Sequence, residues 1–261
     1  MSTTLTESDR KELQLAKHLL ENPGMAIKIT NIIGIPIEKG FEYLPKKWNE
    51  KIGEITRAAL LKAADAAIFT IKDNPFEESS DKWHKLGVAI SGGVSGFFGL
   101  AALAIELPVS TTIMLRSIAE IARSQGESIA STDTKLACLE VFALGGKSKS
   151  GSSAESGYYA VRAFLAKSIS EAAEFIAERG LAEEGAPILV KLITKISQRF
   201  GIQITEKIAA QAVPAIGAAG GAIINTIFID HFQDMAKGHF VIRKLERVYG
   251  REIIQKLYEE C

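Results

Sequence analysis

The sequence predicts an all-α protein. It reads as a compact multi-helix body over residues 81–261, with two Gly/Ala-rich apolar helical segments packed together inside it and an N-terminal helical arm over 1–80. Three observations carry this. Apolar residues recur at the helical period of about 3.6 along most of the chain. Strand-type alternation is scarce. Apolar residues make up 47% of 261 positions, enough for the core of one large or two small domains.

In chain order, Thr6–Glu21 shows a narrow apolar face at Leu13, Ala16, Leu19 and Leu20, broken by Asn22-Pro23-Gly24. Met25–Leu44 is rich in isoleucine (27, 29, 32, 33, 35, 37) but interrupted by Gly34, Pro36 and Gly40. Two readings stand: a short helix and kinked turn strapped over the core, or an amphipathic piece lying on a membrane, with Lys28, Lys39, Lys46, Lys47 and Trp48 around it. Lys46–Ile71 reads as helix through Ile52, Ile55, Ala59, Leu60, Ala63, Ala67 and Phe69. The polar stretch Asp73–Asp81 is the expected boundary between arm and body.

Trp83–Ile105 is the first apolar segment, and Pro108 is expected to stop or kink it because proline removes a helix hydrogen bond. Val109–Ser124 reads as a new helix with Ile113, Ile118 and Ile121 inward and Gly126 as terminator. Ser131–Leu144 follows with Asp133 near its start, and Gly145–Ser153 has the composition of a flexible linker. Ala154–Glu178 is strongly periodic and closed by Gly180. Pro187 suits the first turn of a helix expected to run to Phe200 and end at Gly201. Ile202–Ile229, containing Pro214, is the second apolar segment. It continues into a polar helix, Asp230–Tyr249, and Gly250 sets off a last short helix, Arg251–Glu259.

Lys+Arg and Asp+Glu are 31 each, which argues against a nucleic-acid binder, and only 7% of residues are aromatic, too few for a base-stacking surface. The two cysteines, Cys138 and Cys261, exclude a disulfide scaffold or a Cys-rich metal domain. The N-terminus is polar and acidic and does not read as a secretory signal, so the expected compartment is the cytoplasm. Leu86–Ile105 and Ile208–Ile229 carry no charge and are long enough to span a bilayer, yet both are diluted by Gly, Ala and Ser and closed by an acid, Glu106 or Asp230. They read either as buried core helices or as membrane-inserted or interfacial hairpins. Each carries a Gly-x-x-x-Gly spacing, Gly92/Gly96 and Gly217/Gly221, which strips one helix face and predicts close contact between the two.

Several strings resemble the EcsC family of bacterial proteins. They are NPGMAIKITNIIGIPIEKG at 22–40, GVSGFFGLAALAIELPVSTTIMLRSIAEIARSQGE at 93–127, LACLEVFALGG at 136–146, SGYYAVRAFLAKSISEAAEFIAERG at 156–180 and AVPAIGAAGGAIINTIFIDHFQDMAKGHFVIRKLERVYG at 212–250. The resemblance covers nearly the whole chain and implies a largely helical protein with a weak link to membrane transporters. It supplies no activity and no site residues.

The densest polar cluster is Asp230–His239. On a helix Asp230 and Asp234 share a face, while His231 and His239 stand about 12 Å apart along the axis, too far for one mononuclear ion. Three readings remain: a metal or acid–base site of Asp230, His231 and Asp234 with the distant Glu106; a buried polar network of Glu106, Arg116, Glu120, Asp230, His231, Asp234 and His239 that fixes packing; or a solvated helix turn. Arg116, Glu120 and Arg123 have the spacing of an exposed ladder, or Arg116 turns inward to Glu106 or Asp230. Gly145-Gly146-Lys147-Ser148 is not a phosphate loop, because Val141 stands where a glycine is required and no strand precedes it. No motif points to a cofactor or a nucleotide.

Two function classes follow. The first is a non-enzymatic protein, peripheral at the inner membrane face, binding lipid or a membrane-protein partner. The second is a metal-assisted or acid–base hydrolase using the Asp230–His239 region. Fold alone does not separate them.

Overall fold

The computed structural model describes residues 5–21, 24–34, 36–45, 47–70, 99–145, 157–179, 186–213 and 217–261. Among these it holds ten α-helices and no strand: α1 Glu7–Glu21, α2 Met25–Ile33, α3 Ile37–Glu42, α4 Trp48–Thr70, α5 Gly99–Ser124, α6 Thr132–Glu140, α7 Tyr158–Arg179, α8 Pro187–Ala212, α9 Gly217–Tyr249 and α10 Arg251–Glu260. A 3-10 turn, Val141–Ala143, extends α6.

Local chemistry sets most of these boundaries. The Thr6 hydroxyl accepts the Asp9 N–H and caps α1, and Ser131 accepts the Thr134 N–H and caps α6. Pro187 opens α8 at its first turn, where its missing N–H costs nothing. Gly250, at φ +92°, turns the chain between α9 and α10.

Two expected breaks are absent. Pro108 lies inside α5, which runs unbroken from Gly99 to Ser124. An interior proline costs about 3 kcal/mol, but the buried face of Leu103, Leu107, Met114, Leu115 and Ile118 runs through it, and that burial outweighs the lost bond. Gly201 likewise fails to end α8, which continues to Ala212. The face of Leu192, Ile196 and Phe200 is carried on by Ile204, so stopping at Gly201 would forfeit two further buried turns. The helix ends instead at Val213, just before Pro214.

The long α9 is the spine, packing against α1, α2, α5, α8 and α10, while α4 lies across α5 and α8, and α3 on α8. One hydrophobic cluster joins arm and body: Leu13, Met25, Ile29, Ile52 and Leu60 belong to the same core as Phe142, Phe200, Phe228 and Phe232. Where α1 crosses α9, a Cβ on Gly238 would stand 2.6 Å from Leu20 Cγ, so the approach depends on the glycine. The α2 segment is a strap: Met25 and Ile29 are buried, Ile27 and Ile32 face out. Gly92 and Gly96, the 73–81 connector, the 146–153 linker and Gly180 lie outside the described residues. Among the described residues, no helix is long and apolar enough to cross a membrane.

Candidate functional site

Three buried polar centres lie along α9. The first is at its beginning. Lys207 of α8 donates to Glu106 of α5 at 2.8 Å, with only 3% and 11% of the two side chains exposed. The Lys207 ammonium also stands 4.9 Å from the centre of the Phe228 ring, and Gln211 donates to Asn225 at 3.3 Å. An ion pair this dry persists only because each charge has its partner. Exposed apolar side chains occur on the same stretches of α5 and α9: Ile105 is 76% exposed, Val109 41% and Ile223 45%.

The second centre surrounds His231. The Gln203 amide donates to the Leu144 carbonyl at 2.7 Å and reaches His231 Nε2 at 3.4 Å, while Arg199 Nε donates to the Ala143 carbonyl. Burial, helped by the nearby Lys28 charge, pushes the His231 pKa down to about 4, so the ring is neutral. Gly145 closes this centre at φ +75°, and a Cβ there would lie 2.6 Å from His231 Nε2.

The third centre surrounds His239, which is fully buried and held neutral by burial. Its Nδ1 lies 3.0 Å from the Tyr158 hydroxyl and its Nε2 lies 3.8 Å from a carboxylate oxygen of Glu140. Burial raises the Glu140 pKa to about 7 against the pull of Arg162 and Arg243. Beside this trio Arg162 clamps Glu246 with two donors at 2.7 and 3.0 Å, and Tyr159 donates to the same carboxylate.

The residues singled out from sequence therefore do not form one network. Asp230 is exposed, not turned into the core. Asp234 pairs with Lys28 at 3.0 Å on a half-buried face, and His231 turns to Gln203. Helix geometry accounts for the split, because residues one apart diverge by about 100°. Glu106 meets Lys207 rather than Arg116, which is exposed, and Glu120 pairs with Arg123 at the surface. His239 joins a different centre from His231. Among the described residues no three His, Cys, Asp or Glu side chains are grouped to hold a metal, and Asp230, His231 and Asp234 turn to different surroundings. Gly221 lies in α9, but its expected partners fall outside the described residues.

Sequence reasoning missed Lys207, Glu140, Tyr158, Arg162, Gln203 and Glu246. Two had a visible signal. Lys207 occupies a position of the buried face that Phe200 and Ile204 define, and Glu140 is a single acid inside the apolar run 136–144.

A family model described as the EcsC protein family matches residues 7–245. No curated protein and no solved structure matches the chain.

Proposed function

From the premise that this chain belongs to the EcsC protein family, we propose that it associates peripherally with a membrane surface, through the end of the bundle where α5 and α9 begin. One observation carries the reading: the exposed Ile105, with Val109 and Ile223, sits on helix stretches without a free charge. Residues 99–105 and 217–229 have no charged side chain, and the single acid between Ile105 and Val109, Glu106, is neutralised by Lys207. Exposed apolar side chains with no free charge among them suit an interaction surface.

The neighbouring α3 supports it. Gly40 seats α3 on Ala209, near the same end of α8, and Lys39, Phe41 and Tyr43 face solvent there. Aromatic rings and lysines beside apolar side chains suit the headgroup region, where rings are partly buried and lysines meet anionic lipid. The hydrolase alternative has no matching observation, since Asp230, His231 and Asp234 point to three different surroundings.

Vesicle flotation tests the proposal. The protein should float with vesicles containing anionic lipid and less so as salt rises, because screening weakens lysine attraction. Ile105→Asp, checked for an unchanged helical spectrum, should abolish flotation. Absence of flotation at every lipid composition overturns the reading.

A further inference from the structure

The His239 centre contains a mismatch that its neighbours do not resolve. His239 Nε2 is buried and makes no hydrogen bond, yet it faces the equally buried Glu140 carboxylate across 3.8 Å. The other ring nitrogen is engaged by Tyr158 at 3.0 Å. A neutral imidazole carries one N–H, so its two nitrogens always play opposite parts: one donates and the other accepts. What lies on one side of the ring therefore dictates the hydrogen bond on the other. We propose that Glu140, His239 and Tyr158 form a buried proton relay in which protonation of Glu140 inverts the tautomer of His239.

Each state follows from the donor count. With Glu140 ionised, the carboxylate only accepts, so the imidazole keeps its proton on Nε2, directed at Glu140, and Nδ1 accepts the Tyr158 O–H. With Glu140 protonated, its O–H is directed at Nε2, which now accepts, and the imidazole proton resides on Nδ1 and is donated to the Tyr158 oxygen. The change takes up one proton from water, and that proton is counted on Glu140. The ring stays neutral in both states, in keeping with its burial between the Arg162 and Arg243 charges.

The charges around Glu140 place the transition near neutrality. From α7 it faces Arg162 and Tyr158, from α9 His239, Arg243 and Glu246, and from α10 Arg251. Glu127, in the turn after α5, is held by Arg243 and Arg247. Arg162 is itself committed to Glu246, and Arg243 to Glu127 and Asp133. Both guanidiniums thus lower the cost of ionising Glu140 without bonding to it, and burial raises the group to about 7. The relay joins the last residue of α6 to the first turn of α7 and the middle of α9, so it makes this helix junction sensitive to pH in the physiological range.

Long-range proton–nitrogen NMR on the labelled full-length protein reads the tautomer directly, because protonated and bare imidazole nitrogens resonate far apart. Across a titration from about pH 5.5 to 8.5, His239 should switch from a protonated Nδ1 to a protonated Nε2 with a single midpoint near neutrality and no imidazolium signal. In Glu140→Gln the switch should vanish, while Asp234→Asn, remote from this centre, should leave it in place. A His239 tautomer that is constant across the titration in the wild-type protein, or a ring that titrates to imidazolium, overturns the proposal whatever the variants do.

Discussion

The Lys207 ammonium and the Glu106 carboxylate meet 2.8 Å apart next to Ile105, which is 76% exposed and immediately precedes Glu106 in the chain. Neighbours in sequence thus serve opposite ends: one faces solvent without a charge, the other carries a charge without solvent. The arrangement ties α5 to α8 at the end where the aromatic core, through Phe228, also terminates.

Breaking this pair from one side should be costly. Lys207→Ala leaves Glu106 buried without its cation and should destabilise the fold by about 3–5 kcal/mol in denaturant unfolding. The double variant Lys207→Met with Glu106→Leu removes both charges and should recover most of that loss. A single variant as stable as wild type would mean that water reaches the pair freely.

Two glycines that face α8 or lie in it should respond in opposite directions. A Cβ on Gly40 would lie 2.0 Å from the Ala209 carbonyl oxygen, a backbone atom that cannot step aside, so Gly40→Ala should displace α3 and destabilise by about 1–3 kcal/mol. Gly201 is helical and a Cβ there meets nothing within 4 Å, so Gly201→Ala should stabilise by about 0.5–1 kcal/mol through helix propensity. Melting temperatures of the two variants check both signs.

These glycines also illustrate what the sequence does and does not reveal. Gly40 and Gly201 look alike as helix breakers, and only the packing partner tells them apart. Gly250 and Gly126, which do end helices, adopt positive φ, while Gly201 opens to space on a helix whose buried face, through Phe200 and Ile204, continues past it. Periodicity made the helical class legible because it is local. The helices run on through Pro108 and Gly201 because the burial that overrides a local break comes from other helices: α4 and α9 pack on α5, and α3, α4 and α9 on α8. The site was less legible still. Polar residues clustered in the chain at Asp230–His239 point in several directions, Asp230 to solvent and His231 and His239 into separate buried centres, whereas the centres that form, such as Arg162–Glu246, are assembled from residues on separate helices.

The same contrast predicts unequal effects of two acidic truncations on α9. Asp230 is exposed, so Asp230→Ala should lie within about 0.5 kcal/mol of wild type, as for ordinary surface changes. Glu246 receives two donors from Arg162 and one from Tyr159, so Glu246→Ala strands a mostly buried guanidinium and should cost about 3–5 kcal/mol. Urea unfolding of both variants is the measurement, and equal losses would contradict the burial pattern.

The pH dependence of stability separates the buried acid from the buried histidines. Glu140 has its pKa raised by burial to about 7 from an ordinary 4.5, so the folded state holds this proton more tightly than the unfolded chain does. Its contribution is therefore fully favourable below the unfolded value and is lost as pH rises through that window to about 7. His231 behaves oppositely: its pKa falls to about 4, the unfolded chain binds the proton more readily, and stability is lost as pH falls from 6.5 toward that value. His239 is lowered in the same direction and adds to the acid-side loss. Glu140→Gln removes only the first effect. Relative to wild type, the variant should gain little near pH 4.5 and on the order of 3 kcal/mol near pH 8, where the wild type bears the whole cost of a buried carboxylate. Its own stability should then rise from acid to neutral pH and level off, because the two histidines remain. Chemical unfolding of both proteins across this range reads the difference. A gain that is the same at both ends would show that Glu140 is neutral, or fully compensated, throughout.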